Sequence, residues 1–75
     1  MKLDKLPVGQ EAIIKTVGGE GDLRLRLLDM GVIPKTRVKV VRRAPMGDPI
    51  ELYLRGYSLT LRSDDAKMIE VEAVK

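Results

Sequence analysis

From Val38 to Leu61 the chain alternates apolar and polar residues with a period of two. Val38 and Val40, then Ile50, Leu52 and Leu54, then Leu59 and Leu61 fall on one side of three consecutive runs. That is the pattern of strands with a single buried face. Between the first two runs lies Ala44-Pro45-Met46-Gly47-Asp48-Pro49. Its prolines lack the N–H that a ladder needs, and its glycine is a turn residue. Gly56 and Tyr57 connect the second and third runs, with the glycine supplying a positive φ. The stretch therefore predicts a three-stranded antiparallel meander, and the rest of the chain has to cover its apolar face.

The flanking segments supply that cover. Leu6-Pro7-Val8-Gly9 reads as an extended entry ending in a turn, followed by a strand over Glu11–Val17, rich in β-branched residues. Both parities of that strand are apolar, so the pattern does not fix its inward face. Gly18-Gly19-Glu20-Gly21 is a break. In the next segment Leu23, Leu25 and Leu27 alternate with arginines, as in a strand, yet Leu23, Leu27 and Met30 are spaced as a helical stripe. The ends decide for a helix: Asp22 suits an N-cap, Gly31 the first position beyond the C-cap, and Pro34 follows. Leu25 then lies roughly 200° from Leu23, on the exposed side. Lys35 falls in a turn before Thr36. Arg37, Lys39, Glu51, Tyr53 and Arg55 face outward on the meander. Ser63 is placed to cap a helical turn through Lys67, and Met68–Ala73 forms the closing strand with Ile69 and Val71 inward. Five short strands, one helix of two to three turns and one helical turn predict a mainly β chain curled into a small closed or nearly closed barrel.

Composition narrows the picture. At 75 residues the chain is expected to form one domain over 1–75, with thin stability because a domain of this size buries only about 60% of its unfolded surface. It has no cysteine and no histidine, which excludes disulfides and any thiolate or imidazole metal site. Its two aromatic residues are Tyr53 and Tyr57, so the core has to be aliphatic. No window has the apolar length of a signal peptide or membrane span, and a soluble cytoplasmic protein is expected. Charge is uneven. Residues 1–31 balance, residues 32–62 carry seven basic groups against two acidic, and residues 63–75 are net acidic. The excess on the meander fits either an anionic partner or a solvated sheet face that resists edge aggregation.

Candidate chemistry is sparse. Ser58 and Ser63 have no base, no phosphate-binding glycine loop of the Walker type is present, and no carboxylate pair has the spacing of a shared cleft. Asp64 and Asp65 read as the acidic first turn of the capped helix rather than as ligands, since adjacent carboxylates diverge and no third ligand accompanies them. No cofactor and no metal site is expected. The chain reads as a binding module and not an enzyme. One version of that module is a nucleic-acid-binding small barrel using Arg37, Lys39, Arg55 and Tyr53, although a single outward tyrosine makes a poor stacking platform.

Longer stretches carry a resemblance. Leu6-Pro7-Val8-Gly9-Gln10, Leu27-Leu28-Asp29-Met30-Gly31-Val32-Ile33-Pro34, Val40-Val41-Arg42-Arg43-Ala44-Pro45-Met46-Gly47-Asp48-Pro49-Ile50, Gly56-Tyr57-Ser58-Leu59-Thr60-Leu61-Arg62 and Ala66-Lys67-Met68-Ile69-Glu70-Val71 resemble the FeoA family of bacterial ferrous iron uptake. Lys35 departs from it, where the family usually has glycine. The resemblance implies an SH3-like barrel and a family-level association with transition metals. It also implies an accessory, regulatory role through contact with the membrane permease FeoB and its cytosolic GTP-binding part. It does not imply iron carriage by a chain without histidine or cysteine. A similar barrel ends the iron- and manganese-responsive repressors, whose DNA-binding helices this chain lacks. Two surfaces are expected for a protein partner: the helix face Arg24, Leu25 and Leu28, and the hairpin tip Arg42, Arg43, Pro45, Met46 and Asp48. Exposed Leu and Met rimmed by arginine suit a protein contact. Arg42 or Arg43 could also reach a GTPase partner as an arginine finger. A weak homo-oligomer is compatible with the sequence; nucleic acid is the less favoured partner, and membrane insertion is not expected.

Overall fold

The computed structural model describes residues 1–19 and 21–74, so the Glu20 position of the glycine-rich break, and Lys75, lie outside the described residues. Five strands form one antiparallel sheet: β1 Glu11–Val17, β2 Arg37–Arg43, β3 Ile50–Leu54, β4 Tyr57–Leu61 and β5 Ile69–Ala73. Their spatial order is β4-β3-β2-β1-β5, so β4 and β5 form the two edges. Helix α1, Asp22–Asp29, joins β1 to β2, and the single turn α2, Ser63–Ala66, joins β4 to β5. The expected meander is β2-β3-β4, with Val38 opposite Leu54, Val40 opposite Leu52 and Leu52 opposite Leu59.

Two β-bulges set which side chains point inward. In β1 the register shifts between Ile14 and Thr16. Ala12 and Ile14 are buried before the shift and Val17 after it. An extra residue in one strand reverses its parity, which is why the apolar residues of β1 occupy both parities. In β2 the shift lies between Val40 and Arg42. It turns Arg42 outward opposite Glu51 and sets Arg43 opposite Ile50, on the side of the buried residues.

From that position Arg43 holds an element without a clear sequence signal. Leu3–Lys5 forms a short 3-10 turn whose Leu3, together with Leu6, is fully buried. The Arg43 guanidinium Nη2 donates to the carbonyls of Asp4 at 2.6 Å and Leu6 at 2.9 Å. The N-terminal segment also docks on β5, where Val71 N–H donates to the Met1 carbonyl at 2.8 Å. The Glu70 carboxylate accepts from the Met1 amine and from Lys2, and these bonds hold it below the usual carboxylate range.

The core is aliphatic throughout, from Leu3 and Leu27 to Ile50, Leu52, Leu54, Ile69 and Val71. Helix α1 buries Leu27, while Leu23, Leu28 and Met30 pack half-buried against the same cluster. Its ends differ from expectation in one respect. Gly21, not Asp22, occupies the N-cap position, and Asp22 is the first helical residue, where its charge favours the helix N-terminus. The C-terminal end closes as a Schellman motif. Val32 N–H donates to the Leu27 carbonyl and Gly31 N–H to that of Leu28, both at 3.0 Å, with Gly31 at φ 97°. Buried Val32 sits against this closure. The Tyr57 hydroxyl donates to the Met30 carbonyl, tying β4 to the helix end.

Two further boundaries shift. The β3–β4 connection is Arg55-Gly56, both at positive φ, and Tyr57 is already paired with Leu54. Two consecutive left-handed residues match the right-handed strand twist in a two-residue hairpin, which displaces Tyr57 from the turn into the strand. For α2, Arg62 holds the N-cap position without a side-chain cap bond, and Ser63 is the first helical residue. Its N–H donates instead to the Asp48 carboxylate at 2.8 Å, so the cap comes from the β2–β3 loop. The Asp48–Pro49 peptide in that loop is cis.

Five substitutions test these arrangements by urea unfolding. Gly31→Ala is expected to lose about 1–2 kcal/mol from its backbone conformation alone. It should lose more because the new Cβ meets the Tyr57 hydroxyl, and Tyr57→Phe in the same chain should recover part of the loss. Lys35 has φ 73°, so Lys35→Gly should move stability the other way, by up to about 1 kcal/mol. Arg43→Ala should lose about 1.5–3 kcal/mol, because two carbonyls lose a charged donor. Arg42→Ala, which removes only a surface ion pair, should stay within about 1 kcal/mol. Equal losses at Arg42 and Arg43 would contradict the structural role given to Arg43.

Candidate partner-binding surfaces

On α1, the residues expected to form one face separate. Leu25 is 59% exposed and Arg24 is exposed beside it. The Arg24 Nε donates to the Val17 carbonyl at 3.2 Å, which pins the inner nitrogen of its guanidinium against the end of β1. Leu28 is half-buried against the core. Leu25 is thus the apolar group α1 offers to solvent, flanked by Arg24 and Arg26.

The β2–β3 tip divides in the same way. Met46 is 92% exposed and Pro45 is exposed next to it. Arg42 has a side chain 77% exposed and pairs with Glu51 at 3.0 Å. Arg43 and Asp48 face inward tasks, at the N-terminal carbonyls and at the α2 N–H respectively. Within the loop, Ala44 N–H donates to the Pro49 carbonyl and Gly47 N–H to that of Ala44. A shallow pocket of about 240 Å³ lies beneath, where Pro49, Glu51 and Thr60 join Arg42, Arg43 and Pro45. Thr60 enters it because β4 places that residue opposite Glu51, a register the sequence alone does not give.

These two surfaces lie at opposite ends of the sheet. The tip adjoins Ile50 at the start of β3, and the α1 C-terminus is tied to Tyr57, which pairs with Leu54 at its end. A third group does assemble. Arg37, Lys39, Tyr53 and Arg55 line one outward groove of about 360 Å³ across β1, β2 and β3, with Val38 and Leu54, whose side chains are buried in the core, between them in the sheet. Glu11 joins this group, and its carboxylate lies 3.8 Å from the Arg37 guanidinium. Glu11 was not legible as a member, because it reaches the groove through its pairing opposite Lys39.

Nothing in this donor set fits a resident transition metal. No group of three or more carboxylates gathers among the described residues, and the chain has no histidine or cysteine. No helix among the described residues is long and apolar enough to cross a membrane.

Comparison with known proteins agrees with the architecture. The chain is 39% identical over 74 residues, 99% of its length, to the Fe(2+) transport protein A/Fe(2+) transporter FeoB fusion protein of Porphyromonas gingivalis, and spans 9% of that protein. The solution structure of FeoA from Chlorobium tepidum superposes with a TM-score of 0.93 at 40% identity, over 100% of this chain and 71% of that one. The zinc complex of Stenotrophomonas maltophilia FeoA, described as a prokaryotic SH3 domain protein, superposes with a TM-score of 0.84 at 25% identity, over 96% of this chain and 89% of that one. The five-stranded sheet is thus SH3-like. At 17% identity a manganese-dependent transcriptional repressor shares the fold alone, with a TM-score of 0.91 over 99% of this chain and 36% of that one. The FeoA domain model matches residues 1–73, and on that match the chain belongs to the FeoA family.

Proposed function

We propose that this chain is a cytoplasmic accessory and regulatory protein of ferrous iron uptake, with residues 1–75 acting as one domain. In this reading it binds the cytosolic GTP-binding part of a FeoB-type permease and carries out no catalysis of its own. The observation that carries the proposal is the Porphyromonas gingivalis fusion protein, which joins the equivalent of this chain to FeoB. Proteins fused in one organism act at high effective concentration on each other, and an unfused pair has to obtain the same contact through its surfaces.

The exposed side chains fit such a contact. Leu25, flanked by Arg24 and Arg26, and Met46 at the loop tip are single exposed apolar groups, the kind of anchor that a partner pocket buries inside a polar rim. Arg42 is the arginine at the tip with its side chain in solvent. Arg43 is committed to the fold, so any arginine finger falls to Arg42.

Isothermal titration against the cytosolic domain of a FeoB-type permease, with and without guanine nucleotide and at two salt concentrations, tests the reading. Binding that survives high salt is expected, since burial of apolar groups is not screened. Leu25→Ser or Met46→Ser should weaken it about tenfold or more. Each variant should leave the unfolding midpoint almost unchanged, because both side chains are exposed. Absence of binding in either nucleotide state would remove the permease reading. Full binding by both variants would move the contact away from these two surfaces. An unchanged GTPase rate with Arg42→Ala would dispose of the finger.

A further inference from the structure

We propose that the outward groove over β1, β2 and β3 binds an acidic, extended peptide segment of a protein partner. The groove brings Arg37, Lys39 and Arg55 to one site, with half-exposed Tyr53 opposite Lys39. Among the described residues Lys39 and Arg55 form no ion pair, although the sheet offers carboxylates elsewhere on the same face. Glu51 is taken by Arg42 and Glu72 by Lys15. Glu11 is held loosely, at 3.8 Å from Arg37. The site therefore carries three cations against one carboxylate, a local excess that the fold itself does not use.

Geometry selects the ligand's shape. Arg37 and Lys39 are two residues apart on one strand, so their side chains leave the same face about 6.6 Å apart. Carboxylates at alternate positions of an extended peptide have the same repeat. A strand-like acidic segment can thus place successive acids on Arg37 and Lys39. Tyr53, which is 48% exposed, stands opposite Lys39 on β3, so the aliphatic stem of the acidic residue seated on Lys39 can rest on its ring.

The charge count argues against the other anionic occupant. Stable sequence-independent binding to nucleic acid draws on many phosphate contacts and several stacking aromatics. This groove has one tyrosine, and a carboxylate on its wall that a continuous phosphate chain would have to pass. A peptide can leave a gap at Glu11. The inference stands apart from the permease proposal, since it concerns which chemistry the groove takes, and its test uses no permease.

An NMR titration of the isotope-labelled chain decides it. The probe is a blocked peptide with three glutamates at alternate positions, and its control is the same peptide with glutamines. Amide shifts confined to Arg37–Lys39 and Tyr53–Arg55 are expected with the acidic peptide and not with the control. Raising ionic strength from about 0.01 M to 0.15 M, which shortens the screening length from about 30 Å to about 8 Å, should weaken binding several-fold. Lys39→Gln combined with Arg55→Asn should weaken it roughly five- to tenfold. Asparagine is chosen because position 55 has φ 51° and asparagine tolerates that conformation. The variant's own spectrum reports whether it is folded, and Lys39→Gln alone serves as a milder second variant. Shifts elsewhere, equal binding of the glutamine peptide, or tighter binding of a single-stranded oligonucleotide or of phosphatidylserine vesicles at the groove would each overturn the proposal.

Discussion

The structure depends on two one-residue irregularities in its sheet. A five-stranded sheet this short can enclose an all-aliphatic core only if its strands bend sharply, and bulges supply bend and twist. The bulge at Lys15 lets β1 keep pairing with β5 while Val17 returns to the interior. The bulge at Val41 does the opposite service in β2, sending Arg42 outward and Arg43 toward the N-terminal segment. Remove the second and the parity of β2 would carry Arg42 toward the core. The cover over Leu3 and Leu6 and the charge pattern of the hairpin tip both follow from that single step.

What the sequence showed and concealed follows the range of the interaction involved. The meander was legible because alternation is a local signal, repeated over three strands. The end of α1 was legible because Gly31 has to take a left-handed conformation and Val32 has to be apolar, both within two residues. The β1 face was not legible, because a bulge leaves no residue type behind. Nor was the cap of α2, where the carboxylate comes from Asp48, fifteen residues earlier. Among the surface candidates, exposure of Leu25 and Met46 followed from helix geometry and turn composition. The inward tasks of Arg43 and Asp48 depend on tertiary placement, and no spacing rule separates Arg42 from its neighbour. The groove of Arg37, Lys39, Tyr53 and Arg55 could be assembled from alternation, except for Glu11, which needed the β1–β2 register.

The chain divides its cations by duty. Arg24 and Arg43 donate to backbone carbonyls, Lys2, Lys15 and Arg42 meet carboxylates, and Lys39 and Arg55 face solvent across a groove. A net charge of +3 therefore understates how much positive potential the outward face presents. The chain belongs to the FeoA family, and its own side chains include no histidine or cysteine.

The β2–β3 loop carries a last consequence. Its backbone is bonded internally at Ala44 and Gly47 and anchored to α2 through Asp48, yet it holds Met46 almost wholly in water. Fixing a flexible loop on association would require roughly 1–2 kcal/mol per residue of lost backbone freedom. Here the three bonds at Ala44, Gly47 and Asp48 are already made in the folded state, so burying Met46 would require less new ordering of the loop backbone and chiefly that of one flexible thioether side chain.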